Sequence, residues 1–434
     1  MGRVKASIGG ATGRSGVAGE TRATRVAGAN PAALRSHNAA LVLDLLRTAG
    51  EGGISRLELA GRTGLTPQAV SKITARLREE GLVADAGRRA STGGRPGTAL
   101  RLVPSAGHAV GLHLDRDELT VMLVDLAGAV VGVRVAPLDL GAGVGFVVEG
   151  VAREVDALLS GQGESGPTPP SPGASPGRHP HPETGAPPRT PSGTGASSQA
   201  PAGGQATGPD ALAPRVLGVG VAMPGPLDHS SGVTHRVTGF PEWDGYPLRD
   251  ALAARLGLPV ALDKDTNAAA LGLALRGSGD SFAYLHLGTG LGAGLVLGGV
   301  LYRGARTGAG EFGHQVIQLD GPKCSCGRRG CIEALCLAAV GDGDIEGAAR
   351  VLGTGAANLV ELLDIDRVLL GGRVVAADAE PFVRGVGERV RIPVSLADGG
   401  ANVVAEGAAQ LVLAPLFGRT ENTLIGRSSA ADRQ

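Results

Sequence analysis

Apolar residues follow two alternating patterns along most of this chain. Short aliphatic runs, each about the length of a β-strand, are separated by stretches in which apolar residues recur every three or four positions. The helical stretches include residues 144–159 and 266–275. This alternation predicts a layered α/β fold. The predicted strands are residues 109–114, 120–126, 216–222, 283–287, 293–297 and 367–370.

A different pattern occupies residues 36–104, where helical periodicity is followed by two short strands. Ser55 and Glu58, three positions apart, form a capping box that begins one helix. After a short turn, Thr66 followed by Pro67 begins the next helix. Two helices joined by a short turn, with a strand pair behind them, are typical of a winged helix-turn-helix domain.

The second helix of this pair has polar residues in the positions that enter a DNA groove. Gln68, Ser71 and Lys72 lie in its first two turns and are candidates for contacts to base edges. Arg95 lies in the Gly/Pro-rich tip between the two strands, where it would meet phosphates or a narrow minor groove. We therefore expect a double-stranded DNA partner. The alternative is a helical hairpin that docks on another protein.

Composition sets apart three further segments. The chain has 73 glycines and 27 prolines in 434 residues, and 12 of the prolines fall in residues 161–213, which hold no aromatic residue. Such a segment cannot bury enough apolar surface to offset its ordering entropy, so we expect a disordered insertion. It would interrupt a single α/β domain made of residues 105–160 and 214–417. We also expect a flexible arm at residues 1–35 and a frayed tail at residues 418–434.

Charge is distributed unevenly although the formal net charge is zero. Residues 1–104 contain 16 basic and 7 acidic side chains, so this block carries +9 and the remainder carries −9. A basic block favours an anionic partner, and nucleic acid is the first candidate. The chain has no uninterrupted run of eighteen apolar residues and no apolar signal-peptide core at its start, so we expect a cytoplasmic protein with no membrane partner.

All four cysteines fall between residues 324 and 336. His314, Cys324, Cys326 and Cys331 form a His-x9-Cys-x-Cys-x4-Cys pattern, and Cys336 lies outside it. One imidazole and three thiolates make a tetrahedral Zn²⁺ site with no position left for a catalytic water. The pattern therefore predicts a structural zinc ion. The alternative is a set of reduced cysteines packed in a core.

The segment around these ligands, GEFGHQVIQLDGPKCSCGRRGCIEAL at residues 310–335, resembles the signature of the ROK family (repressors, open reading frames and sugar kinases). The resemblance implies an actin/hexokinase-like fold, a ribonuclease H-like duplication with a sugar held between two lobes. Together with the winged helix, it resembles the family's xylose and N-acetylglucosamine repressors. Further segments that resemble the family are residues 218–226, 263–270, 287–294 and 370–372.

The resemblance implies sugar contacts at Asp265, Glu311, His314 and Glu333. Carboxylates accept paired hydrogen bonds from vicinal hydroxyls, and a metal-bound imidazole is held in one orientation so that its other N–H can donate. In the family's kinases the residue at Asp265 is the general base. The alternatives are a helix N-cap for Asp265 and surface carboxylates for Glu311 and Glu333.

The chain departs from the family at its first phosphate loop. Where the kinases have Asp-x-Gly-Gly-Thr, this chain has residues 113–117, His-Leu-Asp-Arg-Asp. The two glycines whose amides would approach phosphate are thus replaced by Asp115 and Arg116, and the carboxylates of Asp115 and Asp117 would repel phosphate. Lys264 stands where the family has asparagine, which alters one sugar contact. The stretch from Glu333 to Leu370 is also shorter than usual, which affects the adenosine side.

Three functions fit these observations. We expect a sugar-responsive transcriptional regulator without enzymatic activity, a repressor of carbohydrate uptake or metabolism genes whose effector is a monosaccharide or sugar phosphate. An ATP-dependent ROK sugar kinase with an added DNA-binding domain is the alternative, with Asp265 as its base. A third possibility is a regulator that binds DNA but no sugar because Lys264 blocks the cleft. We expect a homodimer or homotetramer, because one winged helix reads too few base pairs for specificity.

Overall fold

The chain folds into an N-terminal helical domain and two lobes that are each built on a five-stranded sheet. This arrangement is seen in a computed structural model, which describes residues 31–88, 98–161, 215–237 and 239–419. The predicted insertion, most of the predicted arm and most of the predicted tail lie outside those residues, so their character stays a prediction. The first helix begins at Pro31, inside the predicted arm, since proline suits the first helical turn.

The N-terminal domain contains the predicted helix-turn-helix. The Ser55 hydroxyl accepts a hydrogen bond from the Glu58 amide and the Glu58 carboxylate accepts one from the Ser55 amide, so the capping box is confirmed. Thr66 caps the following helix by accepting from the Ala69 amide. The elements are α1 (Pro31–Ala49), β1 (Ile54–Ser55), α2 (Arg56–Thr63), α3 (Pro67–Glu79), β2 (Val83–Arg88) and β3 (Thr98–Leu102). Strand β3 pairs antiparallel with both β1 and β2.

The first lobe is a mixed sheet with helices packed on it. Its elements are β4 (His108–Leu114), β5 (Glu118–Asp125), β6 (Val130–Pro137), α4 (Val144–Leu159), β7 (Val216–Met223), β8 (Leu227–Asp228), β9 (Val233–Thr234), α5 (Leu248–Leu256) and β10 (Val260–Lys264). The strand order is β10-β7-β4-β5-β6, in which β4, β5 and β6 form an antiparallel meander and β7 and β10 run parallel to β4. Helices α4 and α5 pack on the sheet through a core that includes Trp243.

The second lobe repeats the topology of the first. The remaining described elements are α6 (Asp265–Leu275), β11 (Phe282–Leu287), β12 (Leu291–Leu297), β13 (Val300–Leu301), α7 (Ile332–Gly341), α8 (Ile345–Leu363), β14 (Arg367–Gly371), α9 (Arg373–Ala377), α10 (Ala379–Gly387), β15 (Val394–Leu396) and α11 (Val403–Leu413). The strand order is β13-β12-β11-β14-β15, in which β11 to β13 form the meander and β14 and β15 run parallel to β11. The duplication confirms the two-lobed fold expected from the sequence.

Helix α11 lies between α6 and the sheet of the first lobe, in contact with both. Glycines allow this close approach: a Cβ on Gly220 would lie 1.8 Å from the carbonyl oxygen of Ala408, and one on Gly407 would lie 1.9 Å from that of Ala268. Among the described residues, Gly400–Phe417 is the one helical stretch long and apolar enough by composition to cross a membrane, and half of it is buried within the protein.

The same helix joins the N-terminal domain to the lobes. Apolar residues of α1 share one core with residues of β4, β5 and α11. Beside this core, the Arg419 guanidinium donates to both carboxylate oxygens of Asp44, at 2.9 and 3.1 Å. The Asp44 side chain is 2% exposed and that of Arg419 is 14% exposed. The DNA-binding domain is therefore docked on α11 and on Ala414–Phe417, the helical turn that continues it.

Candidate functional site

A cavity opens where the carboxyl ends of β4 and β10 approach the β11–β12 turn of the second lobe. All four residues predicted to contact a sugar line it: Asp265, Glu311, His314 and Glu333. The structure therefore brings together groups that are far apart in sequence. Other lining residues come from the replaced phosphate loop, from β10, from β11 and from the β11–β12 turn: Asp115, Arg116, Lys264, His286, Thr289 and Gly290.

Asp265 is the first residue of α6, and its carboxylate accepts a hydrogen bond from the Thr266 amide at 2.6 Å. Burial raises the pKa of Asp265 to about 7, and the nearby carboxylates of Asp115 and Glu311 act in the same direction. Lys264, and not Asp265, occupies the N-cap position, and its side chain makes no capping hydrogen bond. The carboxyl group of Asp265 is thus poised between its neutral and charged forms near neutral pH.

This raised pKa predicts how the stability of the protein depends on pH. Ionising Asp265 costs more in the folded than in the unfolded chain, so the free energy of unfolding should fall as the pH rises from about 4 to about 7. Asp265→Asn removes that penalty and should stabilise the protein at pH 8 by on the order of 2 kcal/mol, with little effect at pH 4.5. Urea unfolding at both pH values measures this difference. An equal change at both pH values would contradict it.

Lys264 and Asp263, the last two residues of β10, hold the loop that carries Glu311. The Lys264 ammonium donates to Glu311 Oε1 at 3.0 Å and to the carbonyl oxygen of Ala309. Asp263 is paired with Arg303 at 2.6 Å. The Lys264 side chain is 3% exposed, whereas that of Glu311 is 42% exposed. The lysine that replaces the family's asparagine therefore fixes a predicted sugar ligand.

Glu333, in the first turn of α7, is bonded to the β11–β12 turn. Its Oε2 accepts from the Leu291 amide at 3.0 Å, and its Oε1 lies 3.4 Å from the Ser325 hydroxyl. The residue is 9% exposed, which does not fit the alternative of a surface carboxylate. It links the cavity to the cysteine-containing loop.

The His314, Cys324, Cys326 and Cys331 side chains converge, with all ligand atoms within 4.8 Å of one another. His314 Nδ1 lies 3.7 Å from Cys324 Sγ, so Nε2 is the ring nitrogen left for a ligand in the cavity. Cys336 is buried elsewhere and its thiol donates to the Ala348 carbonyl. Such a set of one imidazole and three thiols could hold a metal ion.

The residues that replace the phosphate loop bond across the cleft to the second lobe. Asp115 Oδ1 accepts from the Thr289 hydroxyl at 2.8 Å, and Asp117 pairs with Arg373 at 3.0 Å. The sequence did not predict roles for Thr289 and Arg373 as partners of Asp115 and Asp117. Their role follows only from their position opposite these two carboxylates in the folded chain. His113, in place of the loop's first aspartate, is buried, and its Nε2 has no hydrogen-bond partner among the described residues.

The predicted DNA-contacting residues of α3 share one surface. Gln68, Ser71 and Lys72 are exposed, whereas Val70 and Leu77 on the opposite face are buried. The helix therefore presents the polar face expected of a recognition helix. Arg95 lies outside the described residues.

Two family models match the chain. One, described as winged helix-turn-helix DNA-binding, covers residues 42–84. The other, described as the ROK family, covers residues 208–340. The chain carries a ROK family domain. This domain follows the winged helix-turn-helix, and its matched part includes the cysteine cluster and all four predicted sugar ligands.

Relatives of the ROK domain include regulators and kinases. The chain is 28% identical to the xylose repressor of Caldicellulosiruptor bescii over 283 residues, which are 64% of this chain and 59% of that protein. It is 45% identical to the glucokinase of Thermotoga maritima over 121 residues, which are 27% of this chain and 38% of that protein. The aligned part is thus less than two thirds of either relative.

A solved structure has the same fold along nearly the whole chain. It is a ROK family transcriptional regulator described as a homologue of the Escherichia coli MLC protein. The match has a TM-score of 0.66 and 20% sequence identity, and it covers 90% of this chain and 99% of that one. The order of a winged helix followed by a two-lobed ROK domain is therefore common to both proteins.

Proposed function

We propose that this protein is a sugar-responsive transcriptional repressor of carbohydrate uptake or metabolism genes. It would act in the cytoplasm as a homodimer or homotetramer on double-stranded operator DNA. The observation that carries the proposal is the docking of α1 on Ala414–Phe417, the helical turn that continues α11, because α11 packs against α6, whose first residue is Asp265 in the cavity. A ligand that moves the lobes would therefore also move the DNA-binding domain.

The effector would bind between the lobes through Asp265, Glu311, His314 and Glu333. Their carboxylates supply acceptors for sugar hydroxyls, and the His314 imidazole supplies a donor. Lys264 could either block the cleft or position Glu311. Its contacts favour the second role, since the ammonium is bonded to Glu311 and Ala309. This argues against a regulator that binds no sugar.

The metal at His314, Cys324, Cys326 and Cys331 would be a structural zinc ion. A complete set of four protein ligands leaves no position for a substrate or an activated water. Its role would be to order the loop between residues 314 and 331 and to orient the His314 imidazole toward the cavity.

We further infer that the protein is not an enzyme, although kinases are among its relatives. Phosphoryl transfer depends on holding the phosphates and neutralising their charge. Here Asp115 lines the cleft, Asp117 lies two residues further on, and both carboxylates bond to the second lobe. Asp265 would then act as a hydrogen-bond acceptor for a sugar hydroxyl and not as a general base.

An electrophoretic shift assay tests the proposed function most directly. The full-length protein is mixed with the DNA beside its own gene, with and without a panel of monosaccharides and sugar phosphates. The proposal expects a specific complex whose affinity changes with at least one sugar. A complex that responds to no sugar would favour the regulator that binds DNA alone.

The purified protein should not phosphorylate sugars. The expected result is no ATP consumption above background with any monosaccharide, because bulky and acidic residues replace the phosphate-binding glycines. A coupled assay of ADP release measures this, with the Thermotoga maritima glucokinase as the positive control. Sugar phosphorylation that Asp265→Asn abolishes would establish the kinase alternative.

Substitutions in the DNA-binding domain should have two distinct effects. Gln68→Ala should relax the base preference at one operator position, since the side chain is exposed on α3. The expected loss of binding free energy on the preferred operator is about 1–3 kcal/mol. Arg95→Ala should weaken binding evenly across sequences and reduce its salt dependence. Binding to a randomised operator library measures both effects. If both variants bound like the parent protein, the proposed recognition helix and wing would be misplaced.

A further inference from the structure

We propose that the cavity selects an unphosphorylated sugar and that Asp115 is the residue that excludes a phosphoryl group. This inference rests on the proposed function, because it concerns the effector of the same site. It starts from the charges that line the cavity. Four carboxylic side chains do so: Asp115, Asp265, Glu311 and Glu333.

The cations near the cavity are largely engaged with protein groups. Lys264 donates to Glu311 and to the Ala309 carbonyl, and its side chain is 3% exposed. Arg373 is paired with Asp117. Arg116 also lines the cavity, with its guanidinium over the Phe240 ring, 5.6 Å from the ring centre, a contact that leaves its charge in place. The lining therefore holds four carboxylic side chains against the two cations Lys264 and Arg116, and a phosphate dianion would meet an excess of acidic groups.

Three hydrogen-bond donors of the β11–β12 turn are engaged with protein groups. The Thr289 hydroxyl donates to Asp115, and the Leu291 amide donates to Glu333. The Gly288 amide donates to the Gly290 carbonyl. These three donors are therefore already bonded and would have to exchange partners to bind a phosphate.

Asp115 has the geometry of a sugar ligand. Its Oδ1 accepts from the Thr289 hydroxyl and from the Arg116 amide, both at 2.8 Å, so Oδ2 remains as an acceptor on the cavity wall. Burial acts to raise the pKa of this carboxyl, but hydrogen bonds from Arg116 and Thr289 and the charges of His113 and Arg373 outweigh burial and hold the pKa below its usual range. Asp115 is therefore an anion that accepts from a hydroxyl and repels a phosphate.

Paired ligands test this inference on the full-length protein. Calorimetry would compare glucose, mannose and N-acetylglucosamine with their 6-phosphates, and xylose with xylose 5-phosphate. We expect the free sugar of the responsive pair to bind roughly tenfold or more tightly than its phosphate. Asp115→Asn keeps the shape of the side chain and should narrow that ratio severalfold. Glu118→Gln is the matched control, because it removes one charge from an exposed residue of the same turn.

Each outcome has a definite meaning. A sugar phosphate that binds as tightly as its free sugar would overturn this inference and leave the proposed sugar-responsive function intact. An unchanged ratio in Asp115→Asn would overturn the role of Asp115. If no sugar in either form bound, the proposed function would fail together with this inference.

Discussion

Replacing Cys326 by serine should release the metal and destabilise the protein by more than about 4 kcal/mol, the range reached when a structural metal is lost. Residues 315–331 contain no helix or strand beyond isolated bridges, so turn hydrogen bonds, such as that from the Cys324 amide to the Arg328 carbonyl, and the cluster together order this loop. His314 belongs to the cluster and Glu333 adjoins it, so the sugar response should disappear as well. Metal content and the free energy of unfolding, measured on the same preparations, check the prediction.

Cys336→Ser is the matched control for this substitution. Its thiol is as buried as that of Cys331, but it lies outside the cluster and donates to the Ala348 carbonyl. We expect this variant to keep one zinc per chain. Freshly purified parent protein with well under one zinc per chain would show that the cluster is a set of packed thiols.

Asp44→Ala should uncouple the DNA-binding domain from the lobes. It leaves the Arg419 guanidinium, 14% exposed, without its carboxylate partner, and breaking such a pair typically costs about 3–5 kcal/mol. DNA binding should persist, since α3 is not involved, but sugar should no longer change operator affinity. The shift assay with and without sugar measures the coupling.

Asp85→Ala is the control for the loss of a carboxylate. Asp85 pairs with Arg78 on an exposed surface of the N-terminal domain. Its replacement should therefore change neither the free energy of unfolding nor the effect of sugar on operator affinity by more than about 1 kcal/mol. A sugar response that survives unchanged in Asp44→Ala would show that the signal does not pass through the α1 interface.

Local signals in the sequence predicted much of this structure. The Ser55–Glu58 capping box and the aliphatic strand runs act over a few residues, so their outcome follows from neighbouring positions alone. The cysteine spacing predicted a convergent cluster for the same reason. What Lys264 does could not be predicted, because its partner Glu311 is 47 positions away.

The contacts across the cleft were hidden for the same physical reason. Asp117 and Arg373 are 256 positions apart, and nothing in either neighbourhood marks them as partners. The sequence indicated that the phosphate loop had lost its glycines, but not that the acidic replacements join the lobes. Such pairings depend on how the two sheets face each other, which only the folded chain determines.

The position of α11 has a consequence for the order in which the protein matures during synthesis. The helix that completes the core shared by α1, β4 and β5 is the last described helix to leave the ribosome. Until residues 403–417 emerge, Val42, Leu46, Ala109 and Met122 lack the apolar partners that this segment supplies. A chain that stops before this segment would therefore leave this side of the core open to chaperones and proteases, and chains that include it would persist.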